Sequence, residues 1–395
     1  MSHLPPELWL AIFRFATTTE LTASLLATSY RSFDYPTNGF IDDSLKVKYA
    51  IVHVCRSWRD LASSMLYEDV LVLTEYASIL RHILKGHSED DGAGHRHRVR
   101  RLCLPYSASV PQMSTRYPTD AVSILQMCPS LEVLVRPNMA YGSRGEAQMF
   151  EYEAEPCPPL PSLKRLDWWH RNDAARTGGI NCLTDVLQAA PNLTYLSLEG
   201  EVGLSLMQLH TTVTLPALTT LHVRRVNSLF MLQISKWYLP SLRHIILDGY
   251  TNVYMVQSIA RSFGEQIWTM ELGKSLRFYM DDAVHPILEG CPNLKELNYR
   301  LFFTRNPTPP ATPHASLSTV GLHGATNLFF EHHEHELWAH LERHLEAFCS
   351  PSYPALRQIL LHGDWGSILG DPRYQHSAQV QKLKERGCSV DVCHY

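Results

Sequence analysis

Between residues 99 and 361 one six-residue pattern, apolar-x-x-apolar-x-apolar, recurs ten times. It starts at Val99, Leu131, Leu163, Leu193, Leu218, Leu242, Ile267, Leu294, Leu317 and Leu356, at separations of 23 to 39 residues. Seven copies follow a proline by two residues, at Pro129, Pro161, Pro191, Pro216, Pro240, Pro292 and Pro354. The alternation predicts a short strand with every second side chain facing a core. The stretches between copies carry helical spacing instead, as in Leu183, Val186, Leu187 and Ala190, or Val284, Ile287, Leu288 and Cys291. The following proline cannot continue such a helix. A single strand-and-helix unit cannot bury its apolar side, so the copies are expected to stack into one continuous core.

Upstream of residue 74 the pattern differs. Leu8, Ile12 and Phe15 follow Pro5 and Pro6 at helical spacing, and Val47, Ile51, Val54, Trp58, Leu61 and Met65 form a narrow stripe expected on one long helix. About seventy residues of short helices bury too little surface to be stable alone, so their spare apolar face predicts a helix-on-helix docking site.

The 395 residues, 45% of them hydrophobic, suffice for such an array plus an appendage. The net charge of -4 gives no electrostatic footprint for nucleic acid or an anionic membrane. Nine scattered cysteines without a CxxC pair suit a reducing compartment. With no basic leader and no long apolar run, a cytoplasmic or nuclear location is expected.

The array from residue 99 to residue 395 resembles the leucine-rich-repeat family. The asparagine or cysteine that usually follows the last repeat leucine is mostly absent, and repeat lengths vary, which implies an irregular arc. The N-terminal "LPPELWLAIFRF" and "VCRSWRDLASSMLYEDVLV" resemble the two halves of an F-box, especially the divergent form found in mushroom-forming fungi. The matching residues are Leu4, Pro5, Glu7, Leu8, Ile12, Phe13, Val54, Cys55 and Trp58, and a longer insert, roughly residues 22 to 45, separates the halves. The implied fold class is α/β: a small all-α F-box-like domain (residues 1–73), a linker or first helix (74–98), and an irregular leucine-rich-repeat solenoid (99–395) with a C-terminal cap. The implied function is that of a substrate receptor in a Skp-cullin-F-box ubiquitin ligase, the nine matching residues docking the Skp-type adaptor and the array binding a target protein. The alternative is a protein-interaction scaffold whose N-terminal helices only cap the solenoid.

Target recognition is expected at outward strand positions, the third and fifth of each pattern and the one after the sixth. These include Arg165, Asp167, Trp169, Tyr195, Ser197, Glu199, His222, Arg224, His244, Asp248, Glu271, Glu296, Asn298 and Arg300. Aromatic and arginine side chains anchor interfaces, which singles out Trp169, Tyr195, Arg224 and Arg300. The run "EHHEHELWAHLERHLEAF" places His332, Glu336, His340 and His344 four apart, with Leu337, Leu341, Leu345 and Phe348 as the expected buried stripe and the histidines as the wet side. Its order is not that of a zinc protease. No phosphate loop, nucleophile elbow or Cys-His pairing is present. No enzymatic activity and no cofactor are expected.

Overall fold

The computed structural model describes residues 4–34, 44–72, 76–85, 95–104, 108–109, 121–137, 151–152, 156–200, 212–249 and 251–393. They fall into two compact units, residues 1–29 with 34–201, and residues 30–33 with 202–395. The proline-containing, polar stretch of residues 136–161, which the sequence marks as a surface loop, lies mostly outside the described residues.

The first unit opens with four helices: α1 (Pro6–Thr17), α2 (Glu20–Leu26), α3 (Leu45–Val54) and α4 (Arg56–Leu66). Pro6 occupies the first turn of α1, where a missing N–H costs nothing. Along α1 the core-facing side is Trp9, Phe13 and Thr17. Phe13 joins Ile51, Val52, Ala62 and Met65 in a small core flanked by Trp9, Trp58 and Leu61. The long helix expected from residue 47 to residue 65 is two helices. Cys55 is extended, with φ -161° and ψ 171°, and its Sγ accepts the Trp58 N–H, so it ends α3 and caps α4.

Strands β1 (Asp69–Leu71), β2 (Arg101–Cys103), β4 (Val133–Arg136), β6 (Arg165–His170) and β7 (Tyr195–Gly200) pair in parallel in that order, and β3 (Ala108–Ser109) pairs antiparallel with β5 (Glu151–Tyr152). The second unit holds β8 (Thr220–Arg224), β9 (His244–Asp248), β10 (Thr269–Leu272), β11 (Glu296–Arg300), β12 (Thr319–His323), β13 (Gln358–His362) and β14 (Ser389–Val392), again parallel and sequential. All ten sequence patterns are strands, and each strand begins at the third residue of its pattern. Strands β1 and β14 carry neither the full pattern nor the proline and were not expected; β1 lies in the segment assigned to the helical domain.

One backbone device recurs in both units. The carbonyl of the second pattern residue accepts two N–H groups from the second and third residues of the next copy. Arg100 O serves Glu132 and Val133, Glu132 O serves Lys164 and Arg165, and Lys164 O serves Thr194 and Tyr195. In the second unit Thr219 O, Arg243 O, Trp268 O, Lys295 O and Ser318 O do the same. Neighbouring strands are therefore held level, third residue opposite third residue.

The returns supply the second layer. Helices such as Leu183–Ala189, Val253–Phe263 and Val284–Gly290 turn apolar faces inward, including Val186, Leu187, Val256, Ile259, Ile287 and Leu288. Asn227, Asn252 and Asn327 each cap a return helix through the side-chain oxygen. The chain is thus an α/β protein, a small all-α N-terminal module followed by irregular leucine-rich-repeat-like stacking with parallel strands on one face and helices on the other. Among the described residues, no helix is long and apolar enough to cross a membrane.

Adjacent returns approach closely at Gly264, where an added Cβ would overlap the Gly290 carbonyl oxygen and press on Cys291 Sγ. Gly264→Ala is expected to lower stability by about 1–3 kcal/mol, the range for overpacking a fitted core, measured by urea unfolding.

Candidate functional site

Two surfaces hold the expected site residues. The first is the outer side of α1. With Trp9 and Phe13 turned inward, helical geometry leaves Leu8, Ile12 and Phe15 on the outside, 50%, 46% and 91% exposed. Leu4, Pro5 and Glu7 are exposed at the start of the helix. Val54 and Cys55 are exposed at the junction of α3 and α4. Phe13 and Trp58 belong elsewhere. Phe13 is buried, and Trp58 is half-buried with its ring 4.8 Å from both Trp9 and Phe13. These two residues build the module that carries the exposed stripe.

The second surface is the outward side of the strands. In the first unit Arg165 donates to the Ser24 and Ala27 carbonyls at 3.1 and 2.9 Å and to Asp167 at 2.9 Å, and its guanidinium lies 4.6 Å over the Tyr195 ring. Thr194 Oγ1 donates to the Thr28 carbonyl at 3.0 Å. Residues 24–28 therefore lie on β6 and β7. Tyr195, expected as an exposed anchor, is buried because Arg165 and this segment cover it. Trp169 is half-buried.

In the second unit the four residues Tyr30–Phe33 lie along the outward positions of β9 to β13. Tyr30 stacks flat on His244, centroids 4.8 Å apart and planes 2° from parallel. Its hydroxyl donates to Glu271 Oε2 at 2.8 Å and accepts from Asn298 Nδ2 at 2.7 Å. Ser32 donates to Glu296 at 3.1 Å, and the Phe33 N–H donates to Glu271 Oε2 at 2.9 Å. The Phe33 ring sits 5.0 and 4.9 Å from His323 and His362, with the Arg300 guanidinium 5.8 Å away. Arg300 is thereby half-buried against the chain's own phenylalanine. Arg224, also half-buried, pairs with Asp248 at 3.5 Å. Nothing in the strand pattern announces Tyr30, Ser32 or Phe33; their only sequence signal is an aromatic pair inside the insert between the two N-terminal motifs.

Burial pushes the Glu271 carboxyl up to about 7, against the lowering effects of the Phe33 N–H, the Tyr30 hydroxyl and Arg300, while Glu296 adds to the rise. Its Oε1 is buried without a hydrogen-bond partner. Since the folded value lies above the unfolded one, the charge costs stability above pH 7, and that cost disappears as pH falls from about 7 to 4.5. Glu271→Gln should therefore be the more stable form at pH 8, by up to about 3 kcal/mol, and equal to the wild type near pH 4.5, as read by unfolding curves across that range. His244 and His362 are held down to about 4 and His323 to about 3, chiefly by burial. The site is lined by neutral imidazoles at physiological pH.

The histidine run does not lie as expected. On the helix Glu334–Phe348, Leu341, Leu345 and Phe348 are buried, but so are Trp338, His340 and His344. His340 Nε2 lies 3.0 Å from the Leu301 carbonyl, and His344 Nε2 lies 3.2 Å from the Thr304 carbonyl. The two Nε2 atoms lie 3.0 Å apart and His344 Nδ1 lies 2.8 Å from the Tyr299 hydroxyl, so the two imidazoles, the hydroxyl and the two carbonyls form one buried hydrogen-bond network. His332 and Glu336 are exposed, and Glu336 faces Arg343 at 3.9 Å. The four residues form no shared stripe, and among the described residues no group of three or more His, Cys, Asp or Glu is placed to hold a metal ion.

No protein-family model matches the sequence, and no curated protein matches it. Among solved structures, the leucine-rich repeat-containing protein LegL7 from Legionella pneumophila is similar, at 14% identity and a TM-score of 0.39, covering 74% of this chain and 91% of that one. The repeat assignment rests on this chain's own ten punctuated strands and their level parallel pairing.

Proposed function

We propose that the chain is the substrate receptor of a Skp-cullin-F-box ubiquitin ligase, with the N-terminal helices docking a Skp-type adaptor and the strand array choosing the target. The observation that carries this reading is the stripe of Leu8, Ile12 and Phe15, apolar residues left in water on a helix whose opposite side has a core of its own. An isolated exposed leucine is ordinary, whereas three at helical spacing form a face that a partner helix can cover. Leu4, Pro5 and Glu7 are exposed at the start of the same helix and Val54 and Cys55 at the α3–α4 junction, and the F-box resemblance implies a docking role for all five. In this role the chain positions two other proteins and carries out no covalent chemistry. Co-expression with a Skp-type adaptor tests it: a stoichiometric complex on size exclusion is the expected result, and two separate peaks would rule it out.

The second reading is a repeat scaffold without a ligase role, its helices serving as a cap. It is favoured by the placement of α1, α3 and α4 in the same compact unit as β1 to β7. On that reading, removing residues 1–66 unfolds the first unit and no adaptor binds the intact chain.

A further inference from the structure

The strand face of the second unit is already filled by a peptide, and the peptide is the chain's own. Glu271 and Asn298 are each 0% exposed. Acidic and amide side chains are seldom fully covered unless a partner satisfies them, and here the partner is Tyr30–Phe33. Every polar group of Tyr30–Phe33 that these two residues and Glu296 can reach is used. The two N–H groups of Asn298 Nδ2 are shared among the Tyr30 hydroxyl, Ser32 Oγ at 3.2 Å and Glu296 at 2.6 Å, which links the two hydroxyls to the strand face. Glu271 Oε1 still has an acceptor to spare. The aromatic rings meet three imidazoles, one flat and two at steep angles. Phe33 itself is strained, with φ +57° in the left-handed region that an aromatic residue rarely adopts. The segment is thus held by several hydrogen bonds and ring contacts while its backbone is not relaxed. An incoming segment that reached the same contacts with ordinary dihedrals would bind the face better than the resident does.

Resting on the receptor reading above, we propose that the outward face of β9 to β13 is the target-recognition site, that it takes a protein segment carrying two aromatic side chains three residues apart with a hydroxyl residue between them, and that Tyr30–Phe33 is an internal copy of that ligand which the target displaces. The first aromatic must be an unmodified tyrosine. Its hydroxyl donates to one carboxylate and lies near a second, so a phosphate there would meet Glu271 and Glu296.

The probe is a fluorescent peptide with the sequence of residues 28–34, used with the full-length chain. A tethered segment competes at an effective concentration on the order of a millimolar. The double variant Tyr30→Ala, Phe33→Ala, which empties the face, should therefore bind the peptide at least about tenfold more tightly than the wild type does. The tyrosine-phosphorylated peptide, and one with both aromatics changed to alanine, should not bind. Failure of the folded double variant to bind the peptide, or equal binding of the phosphopeptide, overturns the proposal. Should the variant not fold, hydrogen exchange on the wild type decides. The Phe33 amide, bonded to a side chain, should exchange by local opening well ahead of the Ile246 and Leu297 strand amides. Exchange of all three only on global unfolding would make the segment a fixed part of the core and end the proposal. Loss of adaptor binding leaves these results unchanged, and loss of peptide binding leaves adaptor capture unchanged, so the two readings fail separately.

Discussion

Leu8→Asp combined with Ile12→Asp is expected to abolish capture of a Skp-type adaptor while leaving the chain folded. Each side chain is about half exposed, so burying the remainder against a partner is worth roughly 1 kcal/mol, and a desolvated carboxylate in its place costs about 1–3 kcal/mol more. The pair together should weaken the complex by at least about a hundredfold, readable by calorimetry or by loss of co-purification. Stability should stay within about 0.5 kcal/mol, because neither residue enters the core of Phe13, Ile51, Val52, Ala62 and Met65. Phe13→Ala and Trp58→Ala would give the opposite pattern. They hollow out that core and cost about 3–5 kcal/mol, so a lost complex in those variants reports unfolding and says nothing about docking. Undiminished adaptor binding by the folded double aspartate variant would exclude α1 as the docking face.

A stability effect as large as any in the N-terminal core is expected at His344, a residue that looks like surface in the sequence. His344→Ala leaves the buried Tyr299 hydroxyl and the Thr304 carbonyl without their imidazole partner, and opens a cavity beside His340. The combined cost is about 3–5 kcal/mol in urea unfolding at pH 7.5. Burial, followed by the neighbouring His340, holds His344 well below the ordinary histidine value. The folded imidazole therefore stays neutral while the unfolded one takes a proton below about pH 6.5, and stability falls as pH falls, by up to about 1.4 kcal/mol per pH unit for this group. The variant lacks that slope, so its deficit relative to the wild type should be smaller at pH 5 than at pH 7.5. A deficit that grows on acidification would show that His344 is charged in the folded chain.

Legibility of the fold followed the strength of local punctuation. A proline that must end one helix and an alternating run that must face a core act within eight residues, and every strand so marked is present. Strands β1 and β14 are set by neighbours instead: "DVL" becomes a strand because Asp69, Val70 and Leu71 meet Arg101, Leu102 and Cys103, with Asp69 paired to the buried Arg101 at 2.7 Å. The break at Cys55 depends on one thiol cap, too small a feature to interrupt an apolar stripe on paper. His340 and His344 were misread for a different reason. Spacing by four correctly puts them on one helix face, but the carbonyls of Leu301 and Thr304 that make this face an interior lie about forty residues upstream. The outward strand positions were readable as a set, Glu271, Glu296, Asn298 and Arg300 among them. That Tyr30–Phe33 covers them was not, since no periodicity links an insert to a surface more than two hundred residues away.

The shared carbonyl that recurs within each unit carries an evolutionary consequence. Since that junction is made by backbone alone and recurs at the same pattern position, a whole unit can be copied or excised between two such carbonyls without disturbing the rungs on either side. The strand face then lengthens or shortens in steps of about 4.8 Å, one row of side chains at a time. New specificities can thus be added at the end of a duplicated tract while older rows keep their chemistry.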